Sequence, residues 1–306
     1  MTRQRRTITS LNHQETRAAW CLISPALGLI LVIALLPLLW SLWDSLHVHD
    51  LRMPWRGRPF VWFDNYLEAL TTPRFWSAVI HTGGFTLCSV TLELLLGLGL
   101  ALMLDRAYRG RGLVRAAILI PWAMPTVVVA LVWRFLFESP AGIVDQTLVQ
   151  LGVTDEPFVW FSHNLAAWVP IVLADVWKTT PFVALLLLAG LQNIDESLYQ
   201  AARLDGASAW QQFFHITLPL LQPALLVALI FRSLDAFRIF DLVYVLTNGG
   251  PGTATEPLAL YAFGALFQKL RFGFGAALAV IIFACTFVLA LVYIRILGKD
   301  ITESSA

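Results

Sequence analysis

The sequence predicts an all-α, polytopic membrane protein with six transmembrane helices. Three observations carry that expectation. Of 306 residues, 58 % are hydrophobic and 13 % charged, against about 45–50 % and about 25 % in soluble globular domains. Six apolar runs have the length of a membrane span, about 20 residues or more. The stretches between them are 8 to 32 residues long, too short for a separate folded domain of usual size. The formal net charge of +1 leaves no basic stripe for nucleic acid, which is not expected as a partner.

Residues 1–19 read as a cytoplasmic tail, 20–297 as one transmembrane domain and 298–306 as a second tail. The first run, Trp20–Trp43, follows Arg3, Arg5, Arg6 and Arg17. It exceeds the apolar stretch of a signal peptide, about 7–15 residues, and no A-x-A site follows, so a retained helix is expected. The other runs are Trp76–Leu104, Leu113–Phe137, Leu165–Leu191, Pro223–Leu246 and Phe274–Leu297. In the fourth, Pro181 is able to break the helix.

Basic residues orient the chain. With the N-terminus inside, eleven Lys and Arg fall in cytoplasmic segments (Arg3, Arg5, Arg6, Arg17, Arg106, Arg109, Arg111, Arg115, Arg203, Arg295, Lys299). Six fall outside (Arg52, Arg56, Arg58, Arg74, Lys269, Arg271). This bias predicts that both termini are cytoplasmic.

Cys21, Cys88 and Cys285 lie far apart in apolar runs. They read as small buried hydrophobes, with no disulfide framework and no metal site. His47 and His49 lie in an outside loop, and His81 has no acid or histidine four residues on, so all three read as structural or exposed. Trp20, Trp40, Trp43, Trp76 and Trp133 sit near span ends, as an aromatic belt does. Trp177 alone combines an interior position with polar neighbours.

The connection 192–222 is the most informative. Asn193 with Glu196 fits an N-cap and capping box, Asp205-Gly206 fits a helix stop, and Ser208 with Gln211 repeats the start signal. Two short helices meeting at a sharp glycine turn are expected on the cytoplasmic side; the plain alternative is an amphipathic connector on the membrane surface.

Here the sequence resembles a family. Gln200-Ala201-Ala202-x-x-Asp205-Gly206-Ala207, followed by Phe213-x-x-Ile216-x-Leu218-Pro219, is similar to the EAA loop of binding-protein-dependent ABC importer permeases. Phe240-Asp241-x-x-Tyr244-Val245-Leu246-Thr247-x-Gly249-Gly250-Pro251 resembles the sugar-importing branch, of maltose, glycerol-phosphate and trehalose type. Leu119-Ile120-Pro121-Trp122-x-x-Pro125, Trp133-Arg134 and Val176-Trp177-Lys178-Thr179-Thr180-Pro181-Phe182 extend the likeness across residues 20–297. One position departs: the family's Glu at the head of the loop is Gln200, which keeps an amide but loses the charge. Either the ionic part of that contact is dispensable or a sister subunit supplies it.

The resemblance implies the type I ABC importer permease fold. It implies a transport subunit rather than an enzyme, lodged in the plasma (inner) membrane of a bacterium or archaeon. Its partners would be a homologous second permease, two cytoplasmic ATPases, an extracytoplasmic binding protein, membrane lipid and a sugar, a disaccharide such as trehalose or maltose. The chain would bind no cofactor; ATP and Mg²⁺ would sit on the ATPases. Consistently, no G-x-x-x-x-G-K-[ST] phosphate loop occurs.

Ionisable side chains inside spans are costly and mark functional or paired positions. Arg232, Asp235, Arg238 and Asp241 alternate in sign at a spacing of three in the fifth run. Two readings stand: a ladder whose members neutralise one another, or a polar wall of the translocation path. Asp175 and Lys178, beside Trp177, Thr179 and Thr180, extend the polar set in the fourth run. Glu93, alone among leucines, reads as an interhelical hydrogen-bonding group. The resemblance places sugar near the bilayer midplane on spans four to six, hence Thr180, Asp235, Ala236 and Ile239 near the cavity with Arg238 as neighbour.

The rival reading is an ion-coupled secondary transporter of the major facilitator type. Gly97 and Leu104-Asp105-Arg106-Ala107-Tyr108-Arg109-Gly110-Arg111 partly echo that class's cytoplasmic loop. The glycine is displaced and six spans are half the usual number.

Overall fold

In the computed structural model the backbone is described for residues 2–106 and 110–303, and side chains for 16–106 and 110–295. Ala107, Tyr108 and Arg109, with the side chains of Arg3, Arg5, Arg6 and Lys299, lie outside the described residues. In lipid a backbone can satisfy its polar groups only internally, so apolar runs become helices. Among the described residues no strand forms.

The first span is α1 (Thr2–Ser45), followed by the short α2 (Asp64–Thr71) and the second span, α3 (Pro73–Asp105). The expected third span is not one straight helix. It consists of α4 (Arg111–Ile118), α5 (Ile120–Ala123) and α6 (Thr126–Leu136), with a bend of 87° between the two halves. The cause is local. Met124 precedes Pro125 and is pushed into the extended region, at φ −73° and ψ 140°. The displaced Trp122 ring stacks on Phe182, 5.5 Å away.

After α7 (Ile143–Gln150) comes the fourth span, α8 (Trp168–Leu191). Pro181 sits inside it without breaking it, contrary to expectation. The lost hydrogen bond to the Trp177 carbonyl is outweighed by close packing of the buried Val183, Ala184 and Leu187. Then follow α9 (Glu196–Leu204), α10 (Ala209–Gln212), a π turn at Phe213–Thr217 and α11 (Leu218–Ala236). The chain ends with α12 (Asp241–Leu246), α13 (Leu258–Phe263), a second π turn at Gly264–Gln268 and the sixth span, α14 (Phe272–Glu303).

Five of these helices are long and apolar enough to cross a membrane, and the bent pair makes a sixth if it is one span. The centre is the packing of α3 on α8. A Cβ at Gly97 would lie 2.6 Å from Val183 Cγ1, so the residue that echoed the rival class is a point of close helix approach. Apolar clusters around Val129, Ile171 and Val243, around Ala78, Leu258 and Leu278, and around Leu187 and Leu221 form the core.

The cysteines correct the sequence reading. Cys21, Cys88 and Cys285 are all exposed. On a membrane helix an apolar run clothes the lipid-facing side as well as the interior, so an apolar neighbourhood in sequence does not signify burial. The histidines have structural partners: His81 Nδ1 lies 3.1 Å from the Glu256 carbonyl, His49 Nδ1 2.8 Å from Asp44 Oδ1, and His47 Nδ1 2.7 Å from the Trp43 carbonyl.

Candidate functional site

The charged residues of the fifth run do not form a ladder on one helix. α11 ends at Ala236 and Asp241 opens α12, where a carboxylate suits the positive end of the helix dipole. Between them the chain tightens, with Arg238 N–H donating to the Asp235 carbonyl and Ile239 N–H to that of Ala236. Phe240, at φ −141° and ψ −65°, turns it into the next helix. Arg238 Nε donates to the Leu234 carbonyl at 3.2 Å instead of pairing with Asp235.

Arg232 pairs with Asp235 three residues on, as the spacing suggested, and finds its other two partners on other helices. Its side chain is 4 % exposed and meets carboxylates from three helices. Nε donates to Glu93 Oε2 on α3, and Nη2 donates to Glu93 Oε1 at 2.8 Å and to Asp175 Oδ2 on α8 at 3.1 Å. Nη1 donates to Asp235 Oδ2 at 2.5 Å. Ser89 Oγ lies 2.9 Å from Glu93 Oε1 and 2.5 Å from Asp175 Oδ2, and Thr179 Oγ1 lies 2.7 Å from Glu93 Oε1. Burying charge costs several kcal/mol per ion unless geometry and hydrogen bonds compensate. The side-on fork of Arg232 on Glu93 supplies both. Glu93 is thus the interhelical group its sequence context suggested, and its partner is a guanidinium.

Asp175 and Asp235 also line a cleft of about 130 Å³, together with Lys178, Ala236, Arg238, Ile239 and Asp241. The cleft opens where α11 gives way to α12. Among the described residues Lys178, Arg238 and Asp241 make no ion pair. The cleft therefore combines carboxylates that accept with an ammonium and a guanidinium that donate, a surface matched to hydroxyl groups. Six of the nine residues expected on the substrate path meet here, and Arg232 lies directly behind them.

Trp177 and Thr180 do not join them. They line a separate apolar groove of about 540 Å³ with Leu96, Gly99, Met103, Ile118 and Pro121. Each residue turns a helix by about 100°, so 177 and 180 share one face of α8 while 175, 178 and 179 share another. Trp177 is 43 % exposed, and an interior position in sequence was no guide to its direction.

At the other end of the fifth span lies the loop carrying the EAA-like residues. Asp195, not Asn193, caps α9, accepting from the Ser197 N–H at 2.9 Å. The Asn193 backbone is still engaged in the last turns of α8, donating to the Gly190 carbonyl. The Ser197 bond holds the Asp195 carboxyl below its ordinary range. α9 ends at Leu204, and Gly206 takes φ +79°, the left-handed conformation expected there. Ser208 and Gln211 form the expected capping box. The second helix is not short: from Ala209 to Ala236 the chain is one helical run. Gln200, Ala201, Asp205 and Gly206 are exposed, Ala202 and Ala207 half-buried, and Leu204 is 89 % exposed.

One constellation had no sequence signal. Arg74 Nε and Nη2 each donate at 2.7 Å to the Glu256 carboxylate, 182 residues away. Thr247 and Thr255 hydroxyls lie 2.7 Å apart, and Trp168 Nε1 donates to the Ala254 carbonyl at 3.0 Å. The turn through Gly249 and Gly250 is thereby fastened to the starts of α3 and α8. Separation of this order leaves no periodicity to read.

The family of binding-protein-dependent transport system inner membrane components matches residues 93–302. The chain is 43 % identical over 288 residues to the trehalose/maltose transport system permease protein MalF of Thermococcus litoralis, spanning 94 % of this chain and 96 % of that protein. It is 39 % identical over 294 residues to the trehalose transport system permease protein SugA of Mycobacterium tuberculosis, spanning 95 % and 92 %. Among solved structures, a bacterial ABC transporter involved in the import of the acidic polysaccharide alginate superposes with a TM-score of 0.80 at 20 % identity, over 95 % of this chain and 98 % of that one. At that identity the likeness speaks for the fold.

Proposed function

The chain belongs to the family of binding-protein-dependent transport system inner membrane components, and from that premise we propose that it forms half of the path by which an ABC importer takes up a neutral sugar. It is a multi-pass membrane permease subunit and not an enzyme. The substrate in this reading is a disaccharide of trehalose or maltose type, supported by the names of the relatives and by the balanced acceptors and donors of the cleft.

A second, homologous permease supplies the other half of the path. Two ATPases dock on the loop at 192–222 from the cytoplasm, where both termini also lie, and hold the ATP and Mg²⁺. A binding protein delivers sugar from outside. The observation that carries the reading is mechanical. One continuous helical run, Ala209–Ala236, with a π turn at Phe213–Thr217, has the coupling loop at its base and the cleft at its tip, so displacement of the loop moves Asp235 and Ala236. Alternating access follows from tilting that run.

The test is uptake of labelled trehalose by vesicles carrying the complete complex, challenged with excess maltose and, separately, excess glycerol 3-phosphate. The reading expects maltose to compete and the anion not to. Uptake suppressed by the anion alone would assign the cleft to charged substrates.

A further inference from the structure

We propose that Glu93 is a positioning residue for the transported sugar, acting through Arg232 to present Asp175 and Asp235 to the cleft. The inference rests on the sugar-import reading above. Glu93 is 0 % exposed and does not line the cleft, so whatever it does there it does through another group. A guanidinium has five N–H donors in a rigid plane. Glu93 engages Nε and one hydrogen of Nη2, which fixes that plane. The second Nη2 hydrogen is then aimed at Asp175, and Nη1 at Asp235. Ser89 braces Glu93 and Asp175, and Thr179 braces Glu93.

The charge count gives the arrangement its purpose. Glu93 neutralises Arg232, and the two remaining carboxylates each keep oxygen lone pairs free toward the cleft. Lys178 and Arg238 line the same cleft. A residue of the second span that lies behind the cleft without lining it therefore sets the direction of acceptors carried by the fourth and fifth. Without Glu93 the guanidinium plane is free to turn and the two acidic side chains lose their common anchor.

The experiment uses the complete complex in proteoliposomes with trehalose as probe and two readouts. One is ATP hydrolysis stimulated by the loaded binding protein; the other is trehalose moved per ATP. Glu93→Gln preserves side-chain size, and is expected to hold stimulated hydrolysis within about twofold while trehalose per ATP falls about tenfold, the scale of one weakened charge-assisted hydrogen bond. Arg232→Lys, which cannot serve three carboxylates in one plane, gives the same loss, and combining the two is no worse. Glu93→Gln takes away the most buried of the three carboxylates around Arg232 and so also tests assembly. Glu93→Gln with Arg232→Gln removes both charges, and that variant is expected to assemble yet stay low in trehalose per ATP. Parallel falls in hydrolysis and transport, or wild-type trehalose per ATP in the doubly neutral variant, would overturn the inference and leave the sugar-import reading standing. No trehalose transport by the wild-type complex would overturn that reading, and this inference with it.

Discussion

Tyr199 Oη lies 2.9 Å from Thr217 Oγ1, which ties the middle of α9 to the π turn beneath the fifth span. π turns inside helices recur at functional sites because the extra residue loosens the hydrogen-bond ladder. The bond gives the loop at 192–222 a grip on the π turn of the Ala209–Ala236 run, where the ladder is irregular. Tyr199→Phe removes the bond and keeps the ring. A net loss of about 1 kcal/mol in stability is expected, together with sugar uptake falling further than stimulated ATP hydrolysis. Equal effects on the two rates would assign Tyr199 to packing alone.

Gly206 at φ +79° has open space where a Cβ would project, so a side chain there meets a conformational penalty and no clash. Left-handed backbone costs an L-residue about 1–2 kcal/mol. Gly206→Val should insert normally and lose most binding-protein-stimulated ATP hydrolysis. Gln200→Glu, which restores the family residue one and a half turns earlier, should be tolerated. The check is stimulated hydrolysis by each purified complex; wild-type stimulation in the Gly206→Val complex would show that the turn does not serve coupling.

The Arg74–Glu256 fork should act as a strap on the loop that contains Gly249 and Gly250. Arg74 is 37 % exposed, so screening by solvent limits the pair to about 1 kcal/mol or less. Glu256→Gln should leave assembly intact and speed proteolytic cleavage between residues 247 and 257. The difference should narrow in high salt. Cleavage rates equal at low salt would remove the strap from the account.

Asp195 supplies a pH dependence with a defined sign. The Ser197 N–H lowers its pKa from 3.8, a depressed carboxylate. Its contribution to the α9 cap is therefore complete above the unfolded value and is lost as pH falls through the lower folded value. Coupling measured from neutrality down to about pH 5 should show no effect of this residue; below about pH 4 the protection of the α9 amides, relative to their intrinsic exchange at the same pH, should fall. Asp195→Asn, which also caps but does not titrate, should abolish that acid dependence. Persistence of the dependence in the Asn variant would place its origin elsewhere.

Much of this was legible in the chain, and what was not has physical causes. Length and hydropathy located most of the spans, because lipid dictates helix wherever apolar residues run on. The fifth helix, however, runs from Ala209 to Ala236 and not from Pro223 to Leu246, and the third is bent. Glycine and capping residues located the turn after Leu204, because their conformational preferences are local. Direction within a helix was not legible where both faces are apolar or mixed: Trp177 and Lys178 are neighbours in sequence and line different cavities. The spacing of Arg232, Asp235, Arg238 and Asp241 suggested mutual pairing, which holds for Arg232 with Asp235 and stops there because the helix ends at Ala236. The strongest partner of Arg232 is Glu93, 139 residues away, and no local rule connects them.

In the proposed function this chain passes sugar inward only when ATP is hydrolysed by subunits docked on its 192–222 loop. The direct measurement is uptake of labelled trehalose by proteoliposomes that contain this chain with its partner permease and ATPases, with binding protein added outside and ATP enclosed within. The account predicts uptake that requires both the ATP and the binding protein, and that an imposed proton or sodium gradient cannot replace. Uptake driven by such a gradient in vesicles holding no ATPase would contradict it.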